Sequence, residues 1–97
     1  MSRKLFQVSI HRGSSEGKAM ERARLVEAIK RFDGWLDYSG NCFFVISEVS
    51  ANEICAYLSD FLSDEDKIIV SEVARNAAWM GLDQDEERWF KNGLDKK

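Results

Sequence analysis

The chain is poor in the residues that build the commonest reactive sites, with one histidine and two cysteines among 97 residues. Metal sites normally need several ligands, so a lone His11 argues against a histidine-rich zinc site. Cys42 and Cys55 form no Cys-x-x-Cys pair, and two such thiols suit a reducing compartment. We therefore expect a cytoplasmic location, with both cysteines acting as small apolar fillers.

Long apolar segments are also missing from the chain. No run approaches the roughly 20 residues needed to span a bilayer, so a membrane is not an expected partner. The polar residues Gln7, Ser9 and His11 interrupt the first apolar stretch, which argues against a signal peptide. The hydrophobic share of 44% and the charged share of 32% are typical of a single globular domain.

The net charge of −3 hides an asymmetry along the chain. Residues 1–34 carry eight Lys/Arg and four Asp/Glu, while residues 35–97 carry six and thirteen. Overall acidity argues against strong non-specific nucleic-acid binding. A local basic patch stays an alternative to a plain solvated helix face. Its residues are Arg12, Lys18, Arg22, Arg24, Lys30 and Arg31, of which the first three are the expected nucleic-acid or anion contacts.

The first half of the chain predicts a strand, a helix and a hairpin. Residues Lys4–Arg12 alternate at period two, with Phe6, Val8 and Ile10 on one face and Gln7, Ser9 and His11 on the other. A Gly/Ser loop follows, and apolar residues at helical spacing predict a helix over 17–32 that Gly34 ends. Strands over 35–39 and 41–47 then form a hairpin around Gly40 and Asn41.

The second half predicts another helix and strand, followed by an extension. Ser50 and Glu53 fit a capping box that starts the helix, and Lys67–Val73 is the fourth strand. The order β-α-β-β-α-β predicts a ferredoxin-like α+β domain over residues 1–75, with a four-stranded antiparallel sheet and two helices on one face.

Residues 76–97 form a C-terminal extension that is too aromatic to be a frayed end. The segment Asp83–Glu86 predicts the start of a short helix, which Gly93 ends. The large apolar residues must be buried on the open sheet face or on a second copy. A homodimer is favoured because closed two-fold dimers dominate soluble oligomers. The expected interface residues are Trp79, Met80, Trp89 and Phe90.

Three further motifs carry residues that occur in functional sites. The loop Gly13–Ala19 has one residue too few between its glycines for a phosphate loop and lacks the hydroxyl residue after Lys18, so nucleotide hydrolysis is not expected. Anion attraction to the following helix N-terminus is the weaker alternative. The run Asp64–Asp66 carries oxygen ligands but matches no EF-hand spacing. His11 is interpreted as a surface or interface residue, with catalysis as the alternative.

With this element order, the sequence resembles the small nuclease-like subunit of CRISPR adaptation systems and its SinR-like and VapD-like relatives. The matching segments are KLFQVSIHR, the Gly34-Trp35 pair, CFFVIS, DKIIVSEVAR and NAAWMGLDQDEERWF. The resemblance implies a homodimer with facing sheets and C-terminal segments that reach across the partner. It also implies a divalent metal, held by an aspartate at the end of the first strand and shared by two protomers.

This chain has Ile10-His11 where that family has tyrosine-aspartate. Magnesium prefers hard oxygen donors, and imidazole is a poor substitute. The sequence therefore predicts a homodimeric binding scaffold for a protein or nucleic-acid partner, without a cofactor and without catalysis. The alternative is a metal-dependent endonuclease that acts on RNA or DNA. Its site would combine His11 with a carboxylate such as Asp37 or Glu72.

Overall fold

A computed structural model describes residues 3–11, 19–74 and 77–95 of the chain. It is an α+β structure with a four-stranded antiparallel sheet and three helices. The elements are β1 (Lys4–His11), α1 (Ala19–Ile29), β2 (Gly34–Asp37), β3 (Cys42–Ser47), α2 (Ala51–Ser59), β4 (Lys67–Glu72) and α3 (Gln84–Asp95). Within these residues, no helix is long and apolar enough to cross a membrane.

The sheet has the strand order β2-β3-β1-β4, and each neighbouring pair is antiparallel. Val8 of β1 lies opposite Phe43 of β3 on one side and Val70 of β4 on the other. The predicted four-stranded antiparallel sheet is therefore confirmed. The register places Phe6, Val8, Ile10, Phe43 and Val45 on one surface, here called the first face.

Helices α1 and α2 cover the first face and bury its central apolar side chains. Leu25, Ala28 and Ile29 of α1 and Ile54 and Leu58 of α2 pack in one cluster with the first-face side chains. Val8, Ile29, Val45, Ile54 and Leu58 have no accessible surface. The main core thus lies between the sheet and this helix pair, as the period-two and helical patterns predict.

The opposite surface of the sheet, the second face, carries Leu5, Gln7, Ser9, His11, Phe44 and Ile46. Helix α3 covers one end of it, where Phe90 packs with Leu5 and Ile46 in a second buried cluster. The other end carries the polar side chains and Ile69, which is 68% exposed. The described residues therefore cover the second face only in part.

Several predicted boundaries shift because local hydrogen bonds end the elements early. Helix α1 stops at Ile29 rather than Phe32, since the Arg31 and Phe32 amides donate to carbonyls three residues back and tighten the last turn. Strand β2 ends at Asp37 rather than Ser39, because the Asp37 carboxylate accepts a hydrogen bond of 2.8 Å from the Gly40 amide. Gly40 has φ 77°, as the predicted hairpin turn requires.

Both predicted helix starts carry side-chain caps. The Glu53 amide donates to the Ser50 hydroxyl, and that hydroxyl lies 3.3 Å from the Glu53 carboxylate. At α3 the box is reciprocal: the Glu86 amide donates to Asp83, and the Asp83 amide donates to Glu86. The end of α3 was predicted wrongly. Gly93 is buried inside the helix, which continues to Asp95.

Candidate binding surfaces

His11, the candidate catalytic residue, is exposed at the last position of β1. It lies on the second face directly opposite Lys67 of β4. Among the described residues it has no hydrogen-bond or ion-pair partner. The side chain paired with His11 across the strands is therefore a cation, which disfavours a metal ion at this position.

The two carboxylates proposed as partners of His11 lie on the opposite side of the sheet. Asp37 is paired with Phe43, and Glu72 is paired with Phe6, so both belong to the first face. Glu72 also forms an ion pair of 3.6 Å with Lys4. The described residues contain no group of three His, Cys, Asp or Glu that would hold a metal ion. One protomer thus does not bring His11 and these carboxylates together.

The centre of the second face holds a small polar cluster. The Gln7 Nε2 atom donates to the Ser9 hydroxyl at 3.4 Å and to the Cys42 Sγ atom at 3.5 Å. The Ser9 hydroxyl lies 4.0 Å from the same sulfur. Cys42 is half-buried among these polar groups, so the expectation of a purely apolar filler is wrong for it.

Of the three expected nucleic-acid contacts, the structure describes only Arg22. Arg12 and Lys18 lie outside the described residues. Arg22 donates from Nη1 to the Gly40 carbonyl at 2.7 Å, so its guanidinium helps to hold the β2–β3 turn. Arg22 therefore has a structural contact that sequence reasoning did not predict, because the two residues are far apart in sequence.

Three other basic side chains of the predicted patch differ in their contacts. Lys30 lies 3.6 Å from the Glu27 carboxylate and 5.3 Å from the Trp35 ring centre. Arg24 and Arg31 are exposed and make no ion pair or hydrogen bond with any residue that the structure describes. These two guanidinium groups remain available to a ligand.

Arg24 and Arg31 line shallow grooves between α1 and the end of α2. One groove, of about 260 Å³, is lined by Ala23, Arg24, Glu27, Ala28, Arg31 and Phe61. A second, of about 290 Å³, is lined by Arg24, Asp60, Phe61, Leu62 and Ser63. Because Arg24 and Phe61 belong to both, we treat the two as one surface, the arginine groove.

The expected interface residues of the C-terminal extension separate into buried and exposed positions. Phe90 is only 7% exposed and packs in the core of its own chain. Trp89 is half-buried, as is Trp79, whose indole N–H donates to the Glu87 carboxylate at 3.0 Å. Met80 is 94% exposed. Of the four residues, Met80 alone projects almost entirely into solvent.

Met80 borders an apolar groove between the β2–β3 hairpin and the segment before α3. The groove has a volume of about 150 Å³ and is lined by Leu36, Tyr38, Phe44, Ala78, Trp79, Met80, Leu82 and Phe90. Its aromatic rings contact one another in series, with centroid distances of 5.8 Å for Tyr38–Phe44, 5.0 Å for Phe44–Phe90 and 5.1 Å for Trp79–Phe90. We call this surface the aromatic groove.

Sequence reasoning singled out Trp79, Met80 and Phe90 but did not connect them with Tyr38 and Phe44. The alternation of β2 and β3 contained part of this information, since Leu36 and Phe44 are opposite each other on the second face.

In comparisons of sequence and structure, no family model, no curated protein and no solved structure matches the chain.

Proposed function

We propose that this protein is a homodimeric binding scaffold with a ferredoxin-like fold, and that its surfaces hold a protein or nucleic-acid partner rather than a reacting substrate. The order of elements and the sheet order β2-β3-β1-β4 support the fold assignment. The relationship to the CRISPR adaptation subunit stays a prediction from the sequence segments alone.

The observation that carries the dimer is the position of Met80 at the edge of the aromatic groove. A methionine that is 94% exposed is an apolar projection, and the groove beside it is an apolar depression. A two-fold axis between them would let Met80 of each copy enter the groove of the other. Methionine suits this role because its unbranched side chain adapts to irregular apolar surfaces.

The two residues that flank Met80 affect how it is presented. Gly81 follows Met80 with φ 89°, a conformation that glycine adopts readily. Trp79 precedes it and is held by its hydrogen bond to Glu87 and its contact with Phe90. Met80 therefore follows a residue that two contacts hold in place, which reduces the entropy lost when Met80 is buried.

Sedimentation velocity over a concentration series tests the dimer with Met80→Glu. Two buried methionines each contribute roughly 1.5–3 kcal/mol, so we expect the dissociation constant of the dimer to rise at least about a hundredfold. The matched control is Val49→Glu, which places the same charge on an exposed apolar residue outside the groove. Monomeric wild-type protein, or equal weakening by both variants, would contradict the proposed interface.

A further inference from the structure

The arginine groove combines features that suit a ligand with both negative charge and planar rings. Arg24 lies on α1 and Arg31 lies two residues after the end of that helix, and both side chains line the same groove. Phe61 and Ala28 form apolar lining between the charged groups. Both arginines are free of ion pairs with the described residues.

We propose that the arginine groove binds single-stranded nucleic acid, with Arg24 and Arg31 contacting phosphate groups and a base packing on Phe61. Guanidinium groups form strong charge-assisted hydrogen bonds with phosphate oxygens. Aromatic side chains accept bases of any identity by stacking. This inference rests on the proposed scaffold function and names the partner that one of its surfaces holds.

The carboxylates near the groove favour a single strand over a duplex. Glu27 lines one part of the groove and Asp60 the other. They would repel the continuous phosphate rows of a duplex, while an unpaired base presents amino groups that carboxylates accept. The groove is also shallow, so it suits a splayed base and not a rigid helix.

The position of Phe61 fixes where a base can lie. Its ring contacts Tyr57 at a centroid distance of 5.7 Å, and Tyr57 in turn contacts Phe32 at 5.8 Å. This row supports Phe61 from the interior, and the residue stays partly exposed where the two parts of the groove meet. A supported ring at the junction of two guanidinium-lined depressions is a suitable stacking surface.

Fluorescence anisotropy with labelled 12-nucleotide poly(U) RNA and poly(dT) DNA tests the proposal in low salt. We expect binding of both single strands and weaker binding of a duplex of the same length. Arg24→Ala/Arg31→Ala should weaken binding at least about tenfold, and it should reduce the slope of log K against log salt by roughly 1.4, since each phosphate contact contributes roughly 0.7. Phe61→Leu should weaken binding by about tenfold through loss of stacking.

The control is Arg88→Ala. Arg88 is exposed on α3, and its substitution removes a charge of the same sign. Circular dichroism and sedimentation of each variant confirm that fold and association are unchanged. Three results would overturn the proposal: no binding at low salt, equal weakening by Arg88→Ala, or equal competition by a Glu-rich peptide. If the protein is a dimer but does not bind the strands, only the arginine-groove proposal fails. If it is a monomer and binds them, only the dimer proposal fails.

Discussion

Gly93 of α3 lies directly over Leu5 of β1, so that a Cβ atom at position 93 would stand 3.3 Å from the Leu5 Cδ1 atom. The same atom would lie 3.4 Å from Cδ1 of Ile46. Helix α3 therefore approaches the second face more closely than a helix with a larger residue at this position would. The contact explains why a helix of twelve residues keeps a glycine in its interior.

Enlarging position 93 should separate α3 from the sheet. Gly93→Leu forces the buried side chains of Leu5 and Ile46 to move, and we expect a loss of about 2 kcal/mol in the free energy of unfolding. Gly93→Ala should be nearly neutral, because about 1 kcal/mol of helix propensity offsets the closer contact. Urea denaturation measures both.

The control for this prediction is Asn92→Leu, which adds a leucine to the same helix at an exposed position. It should change stability by less than about 0.5 kcal/mol. If Asn92→Leu destabilises as much as Gly93→Leu, the close approach of α3 to the sheet is not the cause.

Gly93 also shows where sequence reasoning reaches its limit. A glycine near the end of an amphipathic segment predicts a helix stop, and the pattern does not reveal which surface lies opposite it. The same limit applies to Phe90. Its size predicts that it is buried, but not whether its own chain or a partner supplies the surface that buries it. The alternation of β1, the caps at Ser50 and Asp83 and the turn at Gly40 depend on neighbours in sequence, and these were predicted correctly.

The candidate surfaces were harder to predict for a related reason. Arg22 and Gly40, or Arg24 and Phe61, meet only after α1 and α2 pack on the sheet. Composition indicates a basic first third of the chain without saying which guanidinium groups are used internally. The fold directs Arg22 to the hairpin, and Arg24 and Arg31 make no ion pair with any residue that the structure describes.

The capping box at the start of α3 should contribute measurably to stability. Asp83 accepts from the Glu86 amide at 2.8 Å, and Asp83→Ala leaves that amide without its partner. We expect a loss of about 1 kcal/mol in the free energy of unfolding. Asp83→Asn keeps a side-chain oxygen at this position and should retain most of the stability in thermal or urea unfolding.

A charge control separates capping from the helix dipole. Asp85 is also acidic and lies in the first turn of α3, with an exposed side chain 3.9 Å from Arg88. Asp85→Ala should cost less than about 0.5 kcal/mol. Equal losses for Asp83→Asn and Asp83→Ala would mean that the charge, and not the hydrogen bond, supports the helix.

The position of His11 leads to a prediction about catalysis. Its cross-strand neighbour on the second face is Lys67, while Asp37 and Glu72 belong to the first face. A divalent cation beside His11 would meet an ammonium group and lack the carboxylates that magnesium or manganese prefers. We therefore expect His11→Ala to leave any cleavage of RNA or DNA unchanged when the protein is incubated with either metal. Asp37→Ala and Glu72→Ala serve as parallel controls on the other face. Loss of cleavage in His11→Ala alone would assign catalysis to His11 and favour the endonuclease alternative.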